Sequence, residues 1–172
     1  MLKYIRILVL VVILSVVGYL VFCITQTTQK KAIISQTIQK LPAFSFRDLN
    51  DKDFTEKDLS STYTSILVIY FNTTCDHCQY EAQEIYKNKE KFSKTQILFV
   101  SDEPTKDLQA FQTKYKLAEL PNLSVLEDKN KVFGKSFGVT SIPSIFIYDA
   151  DKNLKKHLQG SIKIELILKT LE

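Results

Sequence analysis

The residues of this chain that can do chemistry are concentrated in one stretch, Asn72-Thr73-Thr74-Cys75-Asp76-His77-Cys78-Gln79-Tyr80-Glu81. Two cysteines three apart can pass between a dithiol and a disulfide, a two-electron change. At that spacing on a helix, Cβ atoms lie about 5–6 Å apart, whereas a disulfide wants about 3.5–4.5 Å. The bridge therefore forms with local tightening, which favours a reducible bond over an inert staple. So short a loop also gains little from a structural disulfide. Half of a zinc site would need two more ligands, and the chain offers only His77, His157 and a cysteine inside an apolar segment.

Two elements must hold this pair. The apolar, β-branched and aromatic run 66–71 precedes it and predicts a buried strand. After it, Cys78, Ala82, Ile85 and Phe92 recur at helical spacing, so a helix starts at the cysteines. Cys75 then sits where a helix leaves its first N–H groups unpaired, and the positive end of the dipole favours a thiolate there. Cys75 is the expected attacking sulfur and Cys78 the resolving one. A protonated His77 would favour the Cys75 thiolate, and Asp76 would oppose it.

The rest of the chain reads as one domain with a membrane address. Lys3 and Arg6 precede an uncharged run of 18 residues, 7–24. As a helix that run spans about 27 Å, close to the roughly 30 Å hydrocarbon core. Bulky residues Leu20-Val21-Phe22-Cys23 replace the small-x-small site of a cleaved signal peptide, and Phe22 disfavours acylation of Cys23. The run is read as a transmembrane helix or uncleaved signal anchor. Residues 1–6 form a basic start, and 25–40 a polar linker with a hint of a short amphipathic helix. The domain covers 41–172. The formal net charge is +4, and without Lys3 and Arg6 it falls to +2, too little to suggest nucleic acid as a partner.

Within the domain, Phe44 and Phe46 alternate with polar residues, and Phe54 starts a return strand after a turn at 50–53. Residues 56–59 are expected as a helical turn. A second strand, 96–100, leads to a helix opened by Pro104, with Leu108, Phe111 and Tyr115 on its apolar stripe. The passage 117–139, lysine-rich in its middle, reads as a surface excursion with a short strand at 123–126 and a helical piece near 131–137. Pro143 opens a third apolar strand, a hairpin follows, and Ile164, Ile167, Leu168 and Leu171 line a final helix. Alternating strands and helices predict an α/β fold, a central mixed sheet flanked by helices.

The chain resembles the thioredoxin-like superfamily over the whole domain. Two motifs in order carry the resemblance: Cys75-Asp76-His77-Cys78 after the central strand, and Ser141-Ile142-Pro143-Ser144 before the third. The resemblance implies a cis Pro143 packed against the cysteine pair, with the backbone of Ile142 holding an extended substrate segment. The N-terminal hairpin, the 117–139 insertion and the anchor look like the membrane-anchored redoxins of bacterial envelopes, including those that act in cytochrome maturation. Glu81 falls where that group often has an acid.

The departures are instructive. Thr74 stands where tryptophan is usual, and Gln83 where a helix-kinking proline is common. Ile69 occupies the position of a buried aspartate, so proton transfer to Cys78 needs another group or water. Peroxiredoxins share the fold but carry a proline seven residues before the reactive cysteine; Val68 stands there, which argues against peroxide as substrate.

The resemblance thus implies a membrane-anchored thiol–disulfide oxidoreductase acting on exported proteins from the periplasmic side of the inner membrane. Its partners would be protein thiols and disulfides and a membrane-embedded electron donor, without cofactor or metal. Histidine at position 77 resembles the strongly oxidising dithiol oxidases. Asp76, the Ile142-Pro143 loop and the absence of the oxidases' helical insertion favour a reductant. Two readings stay beside it: a disulfide-forming oxidant of the same fold, and a metal-handling or non-catalytic binding module using Cys75, Cys78 and His77.

Overall fold

A computed structural model of the chain describes residues 2–171; Met1 and Glu172, at the outer limits of the expected basic segment and domain, lie outside them. Contacts divide the chain into a helix up to Gln36 and a compact unit from Thr37 onward. The helix, α1 (Leu2–Thr37), carries the apolar run and does not stop at its end. Residues 25–37 contain neither Gly nor Pro, so nothing breaks the helix and no separate short helix forms. The hydroxyls of Thr25, Thr27 and Thr28 bond back to the carbonyls of Phe22, Cys23 and Ile24. The helix is long and apolar enough to cross a membrane, and large apolar side chains on it, among them Val9, Leu10, Val12, Leu14, Leu20 and Phe22, are exposed.

The compact unit is a seven-stranded mixed sheet in the order β2-β1-β5-β4-β3-β6-β7. The strands are β1 (Ser45–Asp48), β2 (Asp53–Thr55), β3 (Ser65–Tyr70), β4 (Thr95–Ser101), β5 (Leu123–Glu127), β6 (Ser144–Asp149) and β7 (Leu154–Gln159). The helices are α2 (Asp76–Lys87), α3 (Thr105–Lys114), α4 (Phe133–Ser136) and α5 (Ile164–Leu171). Strands β3, β4 and β5 run parallel, and β6 and β1 flank them antiparallel. Every residue of β4 is buried, as expected of a parallel strand covered on both faces. The expected N-terminal hairpin is present, with Phe46 opposite Phe54.

Strand alternation divides the core. Leu67, Ile69 and Phe71 face one way with Ile97, Phe99, Ile145 and Ile147, packed with Ala82 and Ile85 of α2, Phe111 of α3 and Ile167 of α5. The opposite face is aromatic. The Phe133 ring stacks on Phe137 at 4.0 Å and on Tyr70 at 4.9 Å, with Phe46 and Phe146 each at 5.9 Å.

Two local expectations need correction. Residues 56–59 form turns held by the Asp58 carboxylate on the Thr55 N–H, not a helical turn. The 117–139 passage is not a surface excursion. Its strand β5 lies between β1 and β4, and Leu120, Val125, Leu126, Phe133 and Phe137 are buried. Fully buried Asp128 accepts the N–H groups of Val132 and Phe133, turning the chain back over the aromatic face. The lysines at the tip, Lys129 and Lys131, are exposed.

The geometry gathers the functional loops at one sheet end. Parallel β3, β4 and β5 all deliver their C-termini there, and antiparallel β6 begins there, Ser144 opposite Tyr70. Clefts outside those strand ends are where open α/β sheets bind ligands. Phe133→Ala should lower unfolding free energy by about 3–5 kcal/mol in denaturant titration, the range for emptying a packed aromatic site; a loss below about 1 kcal/mol would contradict this account of the aromatic face.

Candidate functional site

Phe71 closes β3 by donating its N–H to the Val100 carbonyl, and the chain then leaves the sheet through residues 72–75. Asn72 turns it: its Oδ1 accepts the N–H of Thr74 at 2.9 Å and the Thr74 hydroxyl at 2.6 Å. Cys75 is the N-cap of α2, with extended backbone, and its sulfur accepts the N–H of Cys78 at 3.4 Å. The first helical bond follows, from the Gln79 N–H to the Cys75 carbonyl. A sulfur thus takes the place that a Ser or Asp oxygen fills at most helix starts, satisfying one orphan donor and resting on the positive end of the helix. Both sulfurs of the pair are free thiols, Cys75 partly exposed and Cys78 buried.

Burial separates the two chemically. Desolvation pushes the Cys78 thiol well above its ordinary value, and the Cys75 sulfur and the charge of Glu81 push the same way. The backbone N–H of Asn72 opposes them by bonding to the Cys78 sulfur. Exposure makes Cys75 the sulfur an incoming disulfide can reach, and burial keeps Cys78 protonated until its proton has somewhere to go.

Glu81 supplies such a place. It lies one turn beyond Cys78 on the buried face of α2, is 1% exposed, and its Oε1 has no hydrogen-bond partner. Burial, helped by the charge of Glu84, raises its carboxyl to about 7. A group poised there exchanges protons readily at neutral pH. Ile69, by contrast, places an apolar side chain wholly in the core.

The other expected residues fall out as follows. Asp76 and His77 are exposed, and among the described residues the side chain of neither makes a hydrogen bond or ion pair. The Ile142-Pro143 peptide is cis; Pro143 is buried, and Ile142 beside it is 38% exposed. The Pro143 carbonyl accepts the Gly160 N–H, tying this loop to the end of β7. His157, weighed as a metal ligand, instead stacks on Phe146 at 4.1 Å with its Nε2 3.2 Å from the Ser144 hydroxyl. Among the described residues no three His, Cys, Asp or Glu side chains converge to hold a metal ion.

Three side chains that brace the site were not singled out from sequence. The Glu103 carboxylate accepts the Thr73 N–H at 2.6 Å and the Thr73 hydroxyl at 3.0 Å, and the Ser101 hydroxyl at 3.2 Å. Gln79 donates its side-chain amide to the Thr73 carbonyl at 2.9 Å, and Asn72 makes the turn described above. The Asn-Thr-Thr triplet is a local turn signal that a closer reading can find. The Glu103 contact joins residues 30 apart and has no local signal.

Residues 37–157 match the AhpC/TSA family. No curated protein matches the sequence significantly. Among solved structures, the chain is similar to DsbF of Mycobacterium tuberculosis, in mixed oxidised and reduced forms, with a TM-score of 0.62 and 20% identity over 78% of this chain and 94% of that one. A secreted M. tuberculosis disulfide oxidoreductase homologous to E. coli DsbE gives a TM-score of 0.62 at 15% identity, covering 79% and 96%. The peroxidoxin BcpB of the same organism gives 0.64 at 13%, covering 77% and 93%. At these identities the likeness is one of fold, thioredoxin-like in each case.

Because the folded value of Glu81 lies above its ordinary 4.5, its protonated form adds stability at low pH that is lost as the pH rises through about 7. Glu81→Gln, neutral at every pH, should therefore be more stable than the parent at pH 8 by up to about 3 kcal/mol. The difference should close by pH 4.5. Thermal unfolding across that range checks it, and a pH-independent difference would show that Glu81 is not held protonated.

Proposed function

The chain belongs to the AhpC/TSA family, and from that premise we propose that it is a thiol–disulfide oxidoreductase that reduces or exchanges disulfides of exported proteins through Cys75 and Cys78. The observation that carries the reading is the asymmetry of the pair: one accessible sulfur capping a helix, and one buried thiol beside a carboxyl raised to about 7.

The Cys75 thiolate attacks one sulfur of a substrate disulfide; a Cys75–substrate disulfide forms, and the other substrate sulfur leaves as a thiolate. Cys78 passes its proton to the Glu81 carboxylate and attacks the Cys75 sulfur. The Cys75–Cys78 disulfide forms, the second substrate thiolate leaves, and two electrons have moved to the substrate. A donor dithiol resets the pair by the reverse steps. The exposed Ile142, next to cis Pro143, offers an apolar contact and free backbone for an extended substrate segment at the same sheet end.

The N-terminal helix supports anchoring of the domain in a membrane, and the basic residues Lys3 and Arg6 support a cytoplasmic start with the domain on the extracytoplasmic side. Reduction is the favoured direction. The acidic Asp76 next to Cys75 in sequence and the Ile142-Pro143 loop support that direction.

Purified full-length chain should catalyse disulfide reduction by a dithiol, and Cys75→Ser should bring the rate to background, a loss of at least about a hundredfold. Equilibration with glutathione should give a potential nearer about −270 mV than about −120 mV; the latter would make the protein an oxidant. The family match and the likeness to a peroxidoxin favour one further reading, peroxide reduction. Against it, Val68 stands where peroxiredoxins carry proline, so hydrogen peroxide should oxidise Cys75 no faster than an ordinary thiol of equal ionisation. Peroxide consumption far above that rate would reverse this assignment.

A further inference from the structure

Beside the dithiol loop, a groove of about 350 Å³ runs along α3, walled at its near end by Thr73 and Thr74 and at its far end by Lys114 and Tyr115. A second groove of about 310 Å³ continues from Lys114 and Tyr115 to Tyr86, Lys87 and Lys116, where α2 and α3 diverge. The two share Lys114 and Tyr115 in their linings, and this pair of adjoining grooves, here called the channel, begins one residue from Cys75. Tyr115 lines both parts. It is 6% exposed, yet its hydroxyl is buried with no hydrogen-bond partner.

The far end is cationic. Lys114 lies over the Tyr115 ring at 5.1 Å and Lys116 over the Tyr86 ring at 5.8 Å. Among the described residues neither ammonium has a carboxylate within ion-pairing distance. The neighbouring Glu119 accepts the Tyr86 hydroxyl, and Lys87 is paired with Glu84. The near end carries Asp107 and Glu103, the latter already engaged by Thr73 and Ser101. Charge along the channel thus runs from acidic beside the dithiol to basic away from it.

We infer that this channel docks the polypeptide whose disulfide Cys75 attacks, selecting substrates with acidic residues a few positions from the reacting cysteine; the inference rests on the exchange reading above. Asp107 and Lys114 are two helical turns apart, about 11 Å of axis, which extended chain covers in about three residues. Carboxylates three to five residues from the cysteine therefore meet Lys114 and Lys116. Carboxylates directly beside the cysteine meet Asp107 and Glu103 and are disfavoured.

The test uses reduced full-length chain in non-ionic detergent at low ionic strength. Disulfide-linked model peptides carry two glutamates, two lysines or neutral residues, either four positions from the cysteine or next to it. Rates are taken relative to an uncharged small disulfide. Two exposed charge pairs predict a rate for distal glutamate about tenfold above distal lysine, with no advantage for adjacent glutamate. Lys114→Glu/Lys116→Glu should abolish or invert that ratio, whereas Lys91→Glu/Lys94→Glu, equal in charge change but at the opposite sheet end, should leave it. Equal rates in the parent chain, or equal effects of the two double variants, would overturn the inference. If no disulfide reacts at all, the exchange reading falls, and the channel is judged by anisotropy of a cysteine-free glutamate peptide. Binding weakened by Lys114→Glu/Lys116→Glu keeps it as an acidic-peptide site. No binding, or pyrophosphate bound as tightly as the peptide, overturns it.

Discussion

The amide of Cys78 donates to the sulfur of Cys75 while the side chain of Cys78 points into the core, and the rest of the site depends on that division. A helix start must satisfy its first N–H groups, and here one of them is satisfied by the reactive sulfur itself. The same turn that exposes Cys75 drives Cys78 inward against Ala82 and Ile85. Two identical side chains acquire different chemistry from a single turn of helix, because one faces solvent and the other a layer of hydrocarbon. The braces around the turn serve this division: Asn72, Gln79 and Glu103 fix the loop from three directions, so the sulfurs are held at a rigid sheet end.

The division also makes a requirement. A buried thiol cannot ionise without a nearby proton acceptor, and a buried acceptor is itself destabilising. In the proposed mechanism Glu81 is that acceptor: its carboxyl is desolvated and its Oε1 has no partner, so it sits near neutrality instead of in the usual carboxylate range. Functional sites are where perturbed groups of this kind gather. Tyr115, at the far end of the first groove, likewise carries a buried hydroxyl without a hydrogen-bond partner.

Much of this was legible in the sequence. The apolar run before Cys75, the helical spacing after Cys78 and the proline opening the third strand are local patterns, and local patterns specify β3, α2 and β6. The 117–139 passage misled because its lysines are at the tip of a turn, whereas the burial of β5 comes from pairing with the distant β1. No window of neighbouring residues contains that fact. Glu81 was visible only as a position where the resembled group often has an acid. Its burial depends on the sheet beneath, and residue type alone argued for the surface. The hold of Glu103 on Thr73 likewise belongs to the fold, since it spans two strand-to-helix loops.

The central claim is that the exposed sulfur attacks and the buried one resolves. Trapping measures it most directly: the Cys78→Ser chain, reacted with a disulfide-linked peptide and analysed by mass spectrometry, should accumulate one mixed disulfide, on Cys75, while Cys75→Ser should accumulate none. A mixed disulfide on Cys78 in the Cys75→Ser chain, formed at a comparable rate, would contradict the account.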